Sequence, residues 1–227
     1  MIDKKYHKTI IIILSLFLII RVFYKAKKRR RRINLAYKKN EKNKMKIFRE
    51  NLEIFDRVMK KNNIFYWVGE GTALGFIRDG DFIKHDTDVD VGIYFKDKLK
   101  FSLSMYELFK EGFEIMRHLP NSIIRKGYYI DIDFTQKDIP AMAYYWPRLS
   151  NNFIDYIEPF RKVKIYGIEY NVPSQKYIEY LYGSDWDKPM EGKPINYNNY
   201  NEQIDMNIFK IKNIHYILIQ ELLWFMA

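Results

Sequence analysis

Aspartates at two-residue spacing give this chain its clearest chemical signal. Asp88 and Asp90 stand in HDTDVDVGIYF, where they lead into an apolar, β-branched run. Side chains two residues apart on a strand share one face, so these two carboxylates can hold a divalent cation between them. Carboxylate oxygens suit Mg²⁺ or Mn²⁺ and leave coordination positions for water and for substrate phosphates. A lone D-x-D pair is more often a solvated turn or a helix cap. The metal interpretation therefore needs support from other parts of the sequence.

A second pair of aspartates strengthens the metal interpretation. Asp131 and Asp133 stand in YYIDIDF, which also has the composition of a strand. Carboxylates that face inward from two strands repel one another unless a cation or a raised pKa offsets the cost. A bound metal ion is the simplest explanation for both pairs.

A glycine-flanked helix start precedes the first pair. Gly71 and Thr72 lie in WVGEGTALG, where glycines let the backbone approach a phosphate and a new helix offers unpaired N–H groups. The stretch lacks the Gly-Lys-Ser/Thr of a Walker A loop. Arg78 follows on the same predicted helix, where it could reach a phosphate or pair with Asp79 or Asp81. The sequence therefore predicts a phosphate-binding turn beside the carboxylates and leaves the role of Arg78 open.

The elements that would position these residues follow from hydrophobic spacing. Apolar residues at helical spacing predict helices, and short aromatic or β-branched runs predict strands. The predicted order is a helix over 45–62, a strand over 64–69, a helix over 71–80, a strand over 89–95, a helix over 97–112 and strands over 113–118, 122–127 and 129–135. This order predicts an α/β (α+β) fold. A further, C-terminal helix is predicted over 202–226.

Charge is distributed very unevenly along the 227 residues. The net charge is +11, yet residues 1–50 hold 17 basic and 3 acidic residues, which leaves 22 basic and 25 acidic residues in 51–227. The globular part is therefore slightly acidic, which argues against a specific nucleic-acid partner. The absence of cysteine excludes disulfides, zinc–thiolate sites and thiol nucleophiles.

An apolar segment near the N-terminus predicts a single-pass membrane anchor. The run over residues 9–20 carries no charge, and with snorkelling basic neighbours the span could extend from Tyr6 to Tyr24. A cleaved signal peptide and a soluble amphipathic arm are the alternatives. The predicted organisation is an anchor and basic linker over 1–44, followed by a catalytic domain over 45–227.

The basic run KAKKRRRR over residues 25–32 sets the expected contacts of this anchor. Its charge suits anionic lipid headgroups, so membrane lipids are expected to bind through residues 6–32. By the positive-inside rule this flank stays on the cytoplasmic side, and the catalytic domain would stay there with it.

The whole pattern from Trp67 to Gly92 resembles the signature of the LicD/fukutin family, within the nucleotidyltransferase-fold superfamily. It runs W-V-G-E-G-T-A-L-G-F-I-R-D-G-D-F-I-K-H-D-T-D-V-D-V-G. A second block over 157–189, IEPFRKVKIYGIEYNVPSQKYIEYLYGSDWDKP, is similar to the family's closing segment of a strand pair, a Pro, a helix, Tyr-Gly, Trp and Pro. The resemblance covers roughly residues 64–190. It implies a nucleotidyltransferase-like mixed sheet flanked by helices, preceded here by the membrane-anchor helix.

The resemblance implies a transferase. Members of the family move phosphocholine, or a sugar-alcohol phosphate such as ribitol phosphate, from a CDP-linked donor to a glycan and release CMP. The implied partners are CDP-choline, CDP-ribitol or a similar donor, and a glycan or glycoconjugate acceptor. Two other functions stay open: a nucleotidyltransferase that moves NMP to a protein or small molecule, and a catalytically silent, membrane-tethered binding module. Eukaryotic members usually face the secretory lumen, so the side of the membrane is open as well.

The resemblance also assigns roles to single residues. Asp88 and Asp90 match the metal-binding pair, and Asp131 or Asp133 matches a third carboxylate that completes the metal shell or acts as the base. Asp133 is taken with the pair as an expected metal ligand. The expected substrate-binding residues are Gly71, Thr72, Arg78 and the accessory acid Asp86. Where the family usually has Trp-Asp-Asp-Asp, this chain has His85, Asp86, Thr87 and Asp88, so one acid is missing.

Overall fold

The structure, a computed structural model, describes residues 24, 27–115, 122–135 and 153–189. Helix α1 covers residues 27–40, and one turn of 3₁₀ helix, Glu41–Asn43, joins it to α2 (Lys44–Lys61). The chain continues with β1 (Tyr66–Val68), α3 (Glu70–Arg78), β2 (Asp88–Tyr94), α4 (Lys98–Lys110), β3 (Glu114–Ile115), β4 (Ser122–Arg125), β5 (Tyr128–Thr135), α5 (Phe153–Ile157), β6 (Arg161–Ile165), β7 (Ile168–Val172) and α6 (Gln175–Tyr182).

Five strands form one mixed sheet in the order β1-β2-β5-β4-β3. Strands β2 and β5 run parallel, and the other neighbouring pairs run antiparallel. Strands β6 and β7 pair with each other as an antiparallel ribbon, which is the strand pair expected in the second sequence block. The predicted mixed α/β class, with a mixed sheet flanked by helices, is confirmed.

Side-chain alternation divides the sheet into an apolar face and a polar face. On the apolar face, Phe134 of β5 packs against Phe101 of α4, with ring centroids 5.7 Å apart. Tyr66 of β1 packs against Phe55 of α2 at 5.2 Å. Each such side chain, when fully buried, contributes about 1.5–3 kcal/mol to stability. Helices α2 and α4 therefore hold this face of the sheet, and the other face is left for the polar residues of β2 and β5.

The predicted helices and strands between residues 45 and 135 are all present, with ends that differ by a few residues. The first strand ends at Val68 rather than residue 69 because Gly69 is the N-cap of α3. The strand predicted over 113–118 is seen only at Glu114–Ile115, and residues 116–121 lie outside the described part. Period-2 alternation was strong enough to place β2 and β5 within one residue of their observed ends.

The predicted anchor falls almost entirely outside the described residues, which include only Tyr24 of the span from Tyr6 to Tyr24. Within the described ranges, no helix is both long and apolar enough to cross a bilayer. The C-terminal helix predicted over 202–226 also lies outside them. Part of the segment predicted as a basic linker, residues 27–40, is helical.

Candidate active site

Four aspartates occupy the polar face of two neighbouring strands. Asp88 and Asp90 alternate with buried valines on β2, and Asp131 and Asp133 alternate with buried isoleucines on β5. The parallel register sets Asp90 directly opposite Asp131, and Gly92 opposite Asp133. All four aspartates are half-buried. The two D-x-D pairs recognised in the sequence therefore meet on one face.

Asp86 joins this face from the loop that precedes β2. One carboxylate oxygen from each of Asp86, Asp88 and Asp90 lies within 4.8 Å of the other two. The backbone N–H of Thr87 donates to the Asp86 carboxylate (2.9 Å), and Lys44 Nζ donates to the Asp86 backbone carbonyl (2.8 Å). Lys44 of α2 thus fixes the loop. Asp86, expected as an accessory acid, therefore lies within the same 4.8 Å limit as the expected metal pair Asp88 and Asp90.

The start of α3 is tied directly to β2. The Gly69 N–H donates to the Asp90 carbonyl (2.9 Å), and the Asp90 N–H donates to Thr72 Oγ1 (2.9 Å). A Cβ added at Gly71 would lie 2.5 Å from Asp86 Oδ2 and 3.7 Å from Asp90 Oδ2. Any side chain at position 71 would therefore displace a carboxylate. The predicted glycine turn packs against the acids themselves, and the Thr72 hydroxyl holds β2 in register with α3.

Glu70 is a further acid of the site, which the sequence analysis did not assign. It is the first residue of α3 and has a φ of +36°, an uncommon conformation for a residue with a side chain. Burial, followed by the charges of Asp88, Asp131 and Asp86, raises the pKa of Glu70 to about 7. The only sequence signal was its place between Gly69 and Gly71, because residue type does not reveal a left-handed backbone.

The crowding of acids shifts other pKa values in the same direction. Burial is the largest cause of the raised pKa of Asp90, and the charges of Glu70 and Asp88 add to it. For Asp133, burial and then the charges of Glu70 and Asp131 raise the pKa well above its ordinary value. Burial also raises the pKa of Asp86, although hydrogen bonds from its neighbours partly oppose this. Such a cluster favours protons or a cation as a compensating charge.

Two residues border the polar face. On β4, Ser122 is buried and its hydroxyl donates to the Asp131 carboxylate. On β1, Trp67 lies opposite Gly92, and a Cβ at Gly92 would lie 2.1–2.4 Å from three atoms of the indole. Trp67 is itself only 2% exposed. The polar face is therefore bounded by a hydroxyl on one side and by an aromatic wall on the other.

The sequence that forms this site matches one known family. The family described as LicD/FKTN/FKRP, nucleotidyltransferase domain, matches residues 63–175. The matched region includes β1, α3, β2 and β5 and so contains every acid of the site. The chain belongs to the LicD family.

The curated relatives of this LicD protein are rickettsial. Protein RT0683 of Rickettsia typhi is 29% identical over 115 residues, which are 49% of this chain and 37% of that protein. Protein RP689 of Rickettsia prowazekii is 27% identical over 123 residues, which are 52% of this chain and 46% of that protein. The chain thus spans less than half the length of either relative.

Two solved structures of ANT(2″)-Ia also align with the LicD chain. A crystal structure in complex with adenylyl-2″-tobramycin aligns with a TM-score of 0.39 and 15% identity, and it covers 74% of this chain and 84% of its own. A solution structure of the same antibiotic-resistance factor aligns with a TM-score of 0.41 and 15% identity, and it covers 76% of this chain and 88% of its own.

The carboxylates of the LicD site fit a divalent cation. Octahedral Mg²⁺ holds its oxygens at about 2.1 Å, so two ligands in one shell are at most about 4.2 Å apart. Oxygens of Asp86, Asp88 and Asp90 already lie within 4.8 Å of one another, so small side-chain movements bring them into one shell. Asp133, expected as a metal ligand, lies outside this group of three, although its charge acts on Asp90.

Arg78 and Asp81 of the LicD signature have local partners. The Arg78 guanidinium donates to both carboxylate oxygens of Asp79, at 2.8 and 2.7 Å. This ion pair is one of the two roles expected for Arg78, and phosphate binding by Arg78 stays a prediction. The Asp81 carboxylate accepts hydrogen bonds from the Tyr166 hydroxyl and the Phe82 N–H, as suits a loop residue. His85 is exposed.

Proposed function

We propose that this LicD protein transfers a substituted phosphate group, such as phosphocholine or ribitol phosphate, from a CDP-linked donor to a hydroxyl group of a glycan. The observation that carries the proposal is the group of Asp86, Asp88 and Asp90 oxygens within 4.8 Å, packed under the glycine turn at Gly71. Acids this close are suited to hold Mg²⁺ or Mn²⁺ beside a phosphate.

In this reaction the acceptor oxygen forms a bond to the phosphorus that carries the alcohol, and the bond between that phosphorus and the oxygen of CMP breaks. When bound, the cation neutralises charge on the donor pyrophosphate. Asp86, Asp88 and Asp90 would hold it. The backbone N–H groups at the start of α3 would orient the phosphates, so catalysis would rest mainly on positioning and charge.

The acceptor hydroxyl must also lose its proton. Asp131 and Asp133 are the two candidates, and we propose that one of them accepts the proton while the other completes the metal shell. Burial, followed by the charges of Glu70 and Asp131, raises the pKa of Asp133, and a raised pKa favours Asp133 as the residue that accepts the proton. Asp131 lies opposite Asp90, and the Ser122 hydroxyl holds its carboxylate in place. A fixed carboxylate beside the proposed metal pair favours Asp131 as the additional ligand. Asp131→Asn and Asp133→Asn separate these roles. Loss of the metal ligand should weaken Mn²⁺ binding, whereas loss of the base should lower turnover and leave Mn²⁺ binding unchanged.

The test measures CMP release by the full chain purified in detergent. CDP-choline, CDP-ribitol and CDP-glycerol are supplied in turn with Mn²⁺ and a polyol as a simple acceptor. Turnover is expected with at least one donor, and it should be lost on chelation and in Asp90→Asn. Asp187→Asn, which changes an exposed aspartate of the chain, is the control and should remain active.

Two results would overturn the proposal. Transfer of label from an α-phosphate-labelled NTP, with none from any CDP donor, would assign the site to NMP transfer. Absence of turnover together with absence of any Mn²⁺ binding that Asp90→Asn removes would make the domain a binding module.

A further inference from the structure

Helix α1 is docked on the domain by one stripe of its surface. Arg29, Ile33, Ala36 and Asn40 are half-buried, while the other described residues from 27 to 39 are exposed. Spacings of three and four residues place these four on one face of the helix. Residues 27–40, part of the predicted basic linker, therefore form a helix. Its four half-buried residues define an inner side, and the opposite surface is its outer side.

The contacts of this inner side fix the position of α1 on the sheet. Arg29 and Arg32 both bind the Glu114 carboxylate of edge strand β3, at 3.1 and 2.6 Å. Asn40 Nδ2 donates to the Lys126 carbonyl in the β4–β5 turn (2.9 Å). In the same turn Gly127 has a φ of +92°, and a Cβ there would lie 2.4 Å from the Tyr37 backbone nitrogen. The helix backbone thus rests directly on the turn.

The outer side of α1 is strongly basic. Its exposed cations are Lys27, Lys28, Arg30, Arg31, Lys38 and Lys39, and residues 27–40 contain no acid. Leu35, 59% exposed, lies among them and adds an apolar group. A basic helix face with an apolar side chain among its cations is typical of helices that lie on a lipid surface. Residues 51–227 do not share this charge, because their net charge is −3 (22 basic, 25 acidic).

We propose that the outer side of α1 binds the surface of an anionic phospholipid bilayer. Its charge complements anionic headgroups, and the uncharged run over residues 9–20 lies four residues before the basic run over 25–32 in the sequence. Since the inner side is fixed to β3 and to the β4–β5 turn, lipid contact at α1 sets the orientation of the sheet, and with it the polar face, relative to the bilayer. This proposal does not depend on the reaction that the site catalyses.

The absence of cysteine provides a direct test. The full chain with Leu35→Cys carries a single thiol on the outer side of α1, which is labelled with an environment-sensitive fluorophore. The labelled chain is mixed with excess vesicles of phosphatidylcholine alone or with phosphatidylserine. We expect an emission blue shift with the phosphatidylserine vesicles only, and loss of the shift in 1 M salt, where the Debye length falls to about 3 Å. Equal emission with both vesicle types would overturn the proposal.

Two sets of substitutions complete the test. Replacement of Lys27, Lys28, Arg30 and Arg31 by Gln removes four outward charges and leaves the docking residues in place. Lys and Arg near an anionic surface each add to the attraction, so the phosphatidylserine-dependent shift should be lost. The control replaces four exposed lysines elsewhere, Lys162, Lys164, Lys176 and Lys188, and should keep the shift. Loss of the shift in both sets would mean that net charge alone is responsible. An α1-dependent shift with an RNA duplex and none with lipid would assign the face to nucleic acid.

Discussion

Replacement of Glu70 by glutamine tests the electrostatic description of the polar face. The pKa of Glu70 is about 7, above the ordinary 4.5, because of burial and the charges of Asp88, Asp131 and Asp86. The folded protein therefore holds this proton more tightly than the unfolded chain does. As the pH rises from about 5 to about 8, the metal-free protein must lose stability. One pKa unit corresponds to about 1.4 kcal/mol, so the rise from 4.5 to about 7 costs at most about 3.5 kcal/mol once the group is ionised.

Glutamine keeps the size of the Glu70 side chain and its left-handed backbone, so only the charge is removed. In the presence of EDTA, we expect Glu70→Gln to be about 1–3 kcal/mol more stable than the wild type at pH 8, since remaining solvent contact screens part of the repulsion. The gain at pH 5 should be much smaller. Urea denaturation followed by circular dichroism measures both values. Glu169→Gln changes an exposed glutamate on β7, and this control should follow the wild type.

If Glu70 were an ordinary exposed acid, the free energy of unfolding would fall by the same amount between pH 5 and pH 8 in the wild type and in Glu70→Gln. That result would refute the placement of its carboxylate among the aspartates. Saturating Mn²⁺ provides a second check, because a cation that replaces the bound protons should remove most of the pH dependence of the wild type.

Two further predictions concern the start of α3. Gly71→Ala should weaken Mn²⁺ binding by roughly 10- to 100-fold in calorimetric titration, because its Cβ would lie 2.5 Å from Asp86 Oδ2. Gly69→Ala, whose Cβ would meet nothing nearer than 3.9 Å, should bind like the wild type, and equal binding by both variants would contradict the close packing. Thr72→Val leaves the Asp90 N–H without its acceptor and should lower the free energy of unfolding by about 1–3 kcal/mol. Thr72→Ser should retain that stability, and equal loss in both would refute the hydrogen bond.

Much of the fold was predictable because its signals are local. Two-residue alternation places β2 and β5 and shows which face carries Asp88, Asp90, Asp131 and Asp133, since a strand fixes the direction of every second side chain. Helix α2 follows equally well from its apolar spacing. The parallel pairing of β2 with β5, which brings the two acidic pairs together, joins distant segments and becomes visible only in the sheet.

What the sequence did not reveal depends on contacts between distant residues. Glu70 enters the site through a positive φ, and the loop that carries the expected acid Asp86 is held by Lys44 of α2. The sequence left a phosphate, Asp79 and Asp81 as possible partners of Arg78, and only the folded chain shows its ion pair with Asp79. The inner side of α1 was hidden because its docking residues lie within a run whose dominant feature is positive charge.

The close packing of Trp67 on Gly92 limits how far the chemistry can extend along β2. The alternating row on this face is Asp88, Asp90 and Gly92, and the indole fills the space that a third side chain would need. Two acidic positions, about 7 Å apart along the strand, are therefore all that β2 can offer. A donor bound as proposed has to keep its pyrophosphate at the N-terminal end of the strand and direct its remaining groups away from the tryptophan. Beyond Asp90, the same face of β2 therefore presents a buried aromatic ring in place of a further carboxylate.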